Sequence, residues 1–292
     1  MKNKNKKRGE ITTQQIVLLI ILIASFVVVL FFIFRLNLGA TTEKEVCHNS
    51  VLTRGSNVIP GESIPLNCKT SYLCFTEDGS CEKMSGSFDV KEVASDTETY
   101  DILANAMADC WWMFGEGKVN YLGEELLPKL YCSICSQITF DDSMGKIFED
   151  NKISQNEFYN YLATTEISED KSYLEYLNGL KNSQAIEETL LTNKSAFGEI
   201  DFNKHYSITM GVYSKISVGQ WAAAGAGIAT LALAVAGVAI PIIIVVAVVG
   251  GVGGHFIGTT VIGESGQQYY TPSIIATDDY DLLNCESIKT LA

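Results

Sequence analysis

Hydrophobic and polar positions along this chain are segregated on two scales. On the coarse scale there are two long uncharged stretches. Residues 16–34, "IVLLIILIASFVVVLFFIF", run for nineteen positions without a charge. As a helix, such a run measures roughly 29 Å, about the thickness of a bilayer core. Between Lys215 and Glu264 lie another 48 residues with no charged side chain. Pro241 divides that stretch into 222–240 and 242–262, each long enough to cross. Proline tends to end the helix before it, so the pattern predicts a tight helical hairpin with Pro241 at its apex. Trp221 at one end, and Tyr269 and Tyr270 beyond the other, suit the aromatic belt of one interface. A single span with a re-entrant segment is the competing pattern.

On the fine scale, helical spacing is clearest after Ser95. Ser95 and Glu98 form a capping-box pattern. Tyr100, Leu103, Met107, Trp111 and Phe114 then follow at three- and four-residue steps, and Gly115 ends the run. Trp111 belongs to this stripe and is expected in the core. Trp112 points to a different side, under a second layer or onto a contact surface. "NEFYNYLATTE" and "KSYLEYLNGL" predict two short tyrosine-rich helices, and "YSITMGVYSKIS" alternates like a strand. Residues 40–87 read as β-rich. Within them Asp78-Gly79 is a turn signal, so a bond from Cys74 to Cys81 would close a hairpin.

Together these elements predict an α+β extracytoplasmic domain, mainly helical with short β elements, on an N-terminal transmembrane helix and a C-terminal apolar helical hairpin. The expected divisions are a cytoplasmic basic tail (1–15), a transmembrane anchor (16–36) and a disulfide-stapled domain (37–217). A Gly/Ala-rich transmembrane hairpin (218–263) and an extracytoplasmic tail (264–292) follow.

Charge fixes the direction of this scheme. Residues 1–8 carry five basic groups and no acid, which by the positive-inside rule predicts a cytoplasmic N-terminus in a cell membrane. The chain as a whole has a net charge of −13, and residues 40–217 hold 14 Lys/Arg against 28 Asp/Glu. An acidic body argues against nucleic acid as a partner, because phosphate binding needs a cationic face. Two processing alternatives compete with an uncleaved anchor. The apolar run is longer than a signal-peptide core and lacks a small-residue cleavage site after it. "KKRGEITTQQ" resembles an archaeal prepilin leader cut after Gly9, which the second apolar region fits poorly.

Cysteine placement follows the same division. Cys47, Cys68, Cys74, Cys81, Cys110, Cys132 and Cys135 lie between the two apolar stretches, and Cys285 lies after the second. Only with Cys285 on the same side does the count become even, allowing a complete disulfide framework. Cys132 and Cys135 form a C-x-x-C pair. Outside a cell, two staples to different partners are the first expectation, then a local or redox disulfide, then metal.

Other chemistry is sparse. "GEGKVN" lacks the spacing of a phosphate loop, and "KISQNEF" lacks the first ligands of a calcium loop. No metal, cofactor or catalytic residue is assigned. Gly250, Gly254 and Gly258 would line one helix face, a packing surface within the hairpin or between copies in a homo-oligomer. His255 lies within that row, where a polar ring is costly and often functional. Asn193 heads an N-glycosylation tripeptide.

"ADCWWMFGEGKVNY", "YCSICSQITFDDS", "NEFYNYL" and "NCESIKTLA" together resemble a group of uncharacterised membrane proteins from small-genome archaea. The resemblance implies a cell-envelope location and no activity. The sequence therefore predicts an anchored, non-enzymatic envelope protein whose partners are the lipid bilayer and an unknown extracytoplasmic protein. The alternatives are a pore-forming or membrane-remodelling protein acting through 218–263, and a thiol-disulfide oxidoreductase using Cys132 and Cys135.

Overall fold

The computed structural model describes residues 13–35, 42–56, 65–122, 130–179, 198–213, 230–231, 242–248, 255–263, 267–283 and 285–287. The chain divides into two units, Met1–Thr42 and Glu43–Ala292.

In the first unit, α1 spans Thr13–Arg35. Its side-chain surroundings are described over 15–28, where the apolar residues from Ile16 onward are exposed on every side. Among the described residues no helix is long and apolar enough to cross a membrane. The expected transmembrane anchor is corrected accordingly.

The second unit opens with α2 (Glu43–Gly55), β1 (Ser71–Thr76), β2 (Asp89–Glu92), α3 (Asp96–Met113) and β3 (Leu130–Phe140). It continues through β4 (Lys152–Ser154), α4 (Gln155–Thr164), β5 (Glu166–Ser168), β6 (Lys171–Ser172), α5 (Tyr173–Asn178) and β7 (Glu199–Asp201). The last elements are β8 (Tyr206–Tyr213), β9 (Thr230–Leu231), β10 (Ile242–Val248), β11 (His255–Ile262), β12 (Gln268–Ala276) and β13 (Glu286–Ser287).

Nine of these strands form one mixed sheet, ordered β2-β1-β3-β8-β12-β11-β10-β9, with β13 also on β3. β1 runs parallel to both β2 and β3, and β13 is parallel to β3. From β3 through β8, β12, β11, β10 and β9 every pairing is antiparallel. Two small antiparallel pairs, β4 with β7 and β5 with β6, stand apart from it.

α3 forms for the reasons its sequence announces. The Ser95 hydroxyl accepts the Glu98 backbone N–H at 3.2 Å, and Glu98 Oε2 accepts the Ala94 N–H at 2.7 Å. The predicted stripe Tyr100, Leu103, Met107, Trp111 and Phe114 is buried along its whole length. It packs on β8 and β12, meeting Ile208, Met210 and Val212 in one core cluster. A fully buried leucine such as Leu103 contributes about 1.5–3 kcal/mol relative to exposure. Trp112 lies under α2, where the His48 ring stacks on it at 4.0 Å and 12°. All of β8 and β12 is buried, as befits strands covered on both faces.

Four expectations need correction. A mainly helical fold with short β elements gives way to one built on the nine-stranded sheet. The region 218–263 is not a helical hairpin where it is described: 242–248 and 255–262 are the antiparallel strands β10 and β11. Six of the seven residues in "IIIVVAV" are β-branched, which stiffens χ1 and favours a pleated surface over a helix. Residues 43–55 form a helix in a segment read as β-rich, because Cys47 and Val51 share a face that buries against the domain. Cys74 and Cys81 do bond, yet β1 turns into no hairpin, because both its neighbours run parallel to it.

Candidate functional site

The chain's most unusual local chemistry is concentrated on β3. Its register against β8 shifts between Ile134 and Ser136, so Cys135 occupies a bulge. Before the bulge, Cys132 pairs with Gly211 and faces away from α3, in a small cluster with Leu130, Tyr213, Tyr270, Ile275 and Leu283. At the bulge itself, Cys135 faces α3 within the main core, the opposite face that strand alternation gives a residue three positions on. Two cysteines three apart thus lie on opposite faces of one sheet.

Each cysteine is bonded accordingly. Cys135 joins Cys110 on α3, and Cys132 joins Cys285, just before β13. Cys47 bonds Cys68, and Cys74 bonds Cys81. All eight cysteines are therefore paired, with no free thiol. Gly211 makes the crowded side of Cys132 feasible. A Cβ there would meet Leu130 Cδ1 at 2.7 Å, the Tyr131 carbonyl at 3.0 Å and Cys132 Sγ at 3.4 Å. Neither member of the C-x-x-C pair has the other as its partner, so the pair is not a dithiol centre. Four disulfides suggest an oxidising, extracytoplasmic or secreted environment.

A second cluster sits at the carboxyl ends of the parallel strands β1 and β3, where sheets of this kind often bind ligands. Asp141 is 5% exposed, and its carboxylate accepts from Ser143 N at 3.0 Å, Ser80 Oγ at 3.2 Å and Glu82 N at 3.3 Å. Burial pushes its pKa up, but the donors of Ser143, Glu82 and Ser80 outweigh this and leave it below the usual carboxylate range. Asp78 accepts from the Ser80 hydroxyl and backbone, which holds it down at about 2. Ser143 Oγ, 3.0 Å from Thr76 Oγ1, accepts the Glu77 N–H at 3.0 Å. With their lone pairs engaged internally, these carboxylates fasten the 77–82 loop to the sheet. Among the described residues no group of His, Cys, Asp and Glu could hold a metal ion.

The third cluster follows α3. Gly115, Glu116 and Gly117 all have positive φ, at 78°, 54° and 72°. Glu116 is the exceptional one, since side chains rarely adopt this region. Its carboxylate accepts from Lys118 and, at 2.5 Å, from Tyr176 of α5. Burial and the Glu116 carboxylate both hold the Tyr176 hydroxyl in its neutral form, with its pKa far above the ordinary value. Lys171 lies 5.3 Å above the Tyr176 ring. Other tyrosines continue the pattern along α3: Tyr161 donates to Asp101 at 3.3 Å, and Tyr173 to Asn105 at 2.8 Å. The tyrosine-rich helices therefore brace α3 through hydroxyls as well as rings.

Of the other residues singled out from sequence, Gly258 lies in β11 opposite Val245, a strand position rather than a helix face. His255 opens the same strand opposite Val248. Gly250, Gly254 and Asn193 lie outside the described residues. The Asp141 network and the Glu116 turn were missed by sequence reasoning. Their signals were short: "DGS" and "DDS", which favour local side-chain-to-backbone bonds, and a glutamate between two glycines. No family model, curated protein or solved structure matches the chain.

Proposed function

We propose that this is a non-enzymatic cell-envelope protein whose disulfide-stapled acidic domain binds or scaffolds another extracytoplasmic protein. The observation that carries this is the division of Cys132 and Cys135 between two separate bridges on opposite faces of β3. That arrangement spends the chain's one redox-like motif on tying α3 and the β13 segment to the sheet. The net charge of −13 favours a partner with a cationic surface. The resemblance to uncharacterised membrane proteins of small-genome archaea, which implies an envelope location, points the same way.

The test is peptide mapping of the full chain, with free thiols blocked at lysis, followed by an insulin-reduction assay. Linked peptides 110–135 and 132–285, with no blocked cysteine, are expected, together with no reductase turnover. Blocked Cys132 and Cys135, or turnover abolished by Cys132→Ser, would overturn the proposal.

A further inference from the structure

The four disulfides differ in what they hold. Cys110–Cys135 is buried within the main core, at 0% and 2% exposure. Cys47–Cys68 also packs in that core. Cys74–Cys81 closes a loop that Asp141 fastens independently, through Ser80 and Glu82. Cys132–Cys285 is different. Its partner segment lies against the small cluster on the sheet's other face, outside the main core, and Cys285, like Cys68 and Cys81, is partly buried.

That segment forms a strap after β12. Thr277 N donates to the His205 carbonyl at 2.9 Å, and a 3-10 turn runs Thr277–Leu283. Leu283 is buried against Leu130, Tyr213, Tyr270 and Ile275, with Tyr280 partly buried beside them. β13 then adds two residue pairs to β3, Glu286 with Tyr131 and Ser287 with Cys132. β1 pairs with the same edge of β3 only from Ser136 onward. The strap thus fills the part of the β3 edge that β1 leaves open.

We propose that the Cys132–Cys285 bridge is a reducible lock, and that opening it releases this strap from β3 while the main core stays closed. The reductant is a dithiol, small or protein-borne. One thiolate attacks Cys285 Sγ, the more accessible sulfur, forming a mixed disulfide and expelling Cys132 as a thiolate that takes up a proton. The second thiol resolves the mixed disulfide, leaving Cys285 as a thiol and the dithiol oxidised. Two electrons pass to the bridge, and two protons end on the cysteines. Two ladder pairs and one buried leucine then oppose the conformational freedom of the strap. Its departure leaves backbone donors and acceptors of β3 unpaired near Tyr131 and Cys132, an edge suited to receiving another strand.

The experiment uses the oxidised full chain and graded dithiothreitol, with alkylation mapping and hydrogen exchange read at each step. Cys132 and Cys285 should become alkylated together at a reductant concentration roughly tenfold below that needed for Cys110 and Cys135, since exchange rates follow access. At that point backbone exchange should rise at least tenfold over 130–133 and 277–287 and stay unchanged in α3. A Cys132→Ser/Cys285→Ser double variant should show the same exchange pattern without reductant. Opening of Cys132–Cys285 only together with Cys110–Cys135 would overturn the proposal. So would a strap whose exchange is unmoved once its bridge is reduced and alkylated.

Discussion

Replacing Cys132 and Cys285 together by serine should be the costliest removal of any of the four bridges. Cross-linking lowers the entropy of the unfolded chain by an amount that grows with the logarithm of the closed loop. For the separation of 153 residues between Cys132 and Cys285, this corresponds to about 5 kcal/mol at 25 °C. None of the other bridges joins two points inside that loop, so none shortens it. The same relation gives about 3.5 kcal/mol for Cys110–Cys135, 25 residues apart. For Cys74–Cys81, seven apart, it gives about 2.4 kcal/mol. The comparison between bridges is the decisive quantity, because errors common to all the variants cancel. Guanidinium unfolding of the Cys132→Ser/Cys285→Ser and Cys74→Ser/Cys81→Ser double variants would measure it. The long-loop variant should lose about twice as much stability as the short-loop one. Equal losses, or a larger loss for Cys74/Cys81, would refute both the pairing and the loop-entropy reasoning.

Gly263→Ala should cost about 2–3 kcal/mol in a thermal-unfolding comparison, because its Cβ would lie 2.1 Å from the Gly117 carbonyl and 2.8 Å from the Tyr269 ring. A neutral result would mean that the two backbones do not cross there. Ser95→Ala should remove about 1 kcal/mol by leaving the first turn of α3 without its cap; an unchanged midpoint would refute the capping role. Asp78 is held at about 2 against an ordinary 3.8, so its contribution is present above pH 4 and lost as pH falls toward 2. Acid titration of stability should therefore be shallower over that window in Asp78→Asn. Tyr100 is pushed up to about 12 by burial and then by Glu157, so it favours the fold below pH 10 and ceases to as pH rises through 12. Tyr100→Phe should flatten that alkaline limb, and an unaltered limb would assign the loss to other groups.

α3 was legible almost residue by residue, because cap, stripe and terminating glycine are all local and agree with one another. The tyrosine-rich helix α5 was legible for the same reason, with its Ser172 cap and Gly179, whereas α4 was legible from its apolar spacing alone. The region around 242–262 was not. Hydropathy counts apolar residues without asking about their shape, and β-branched runs satisfy a span criterion and a buried strand equally. The helix at 43–55 escaped notice because its apolar face amounts to little more than Cys47 and Val51, too few to announce a period.

For the candidate sites the division is sharper. Sequence alone determined that the chain carries an even set of cysteines, an acidic body, a strongly capped central helix and two uncharged stretches, since these are properties of composition and near neighbours. Tertiary structure alone decided the disulfide partners and the fate of the C-x-x-C pair. The pairing of β3 within the sheet turns Cys135 to α3 and, by strand alternation, leaves Cys132 facing Cys285, 153 positions away. It also decided that Asp78, Ser80, Asp141 and Ser143 form one network, because β1 and β3 run parallel and bring both their following loops to the same end. Strand register and sheet order depend on which distant segments pair, and that choice is made by the summed packing of the whole core rather than by any window of the chain.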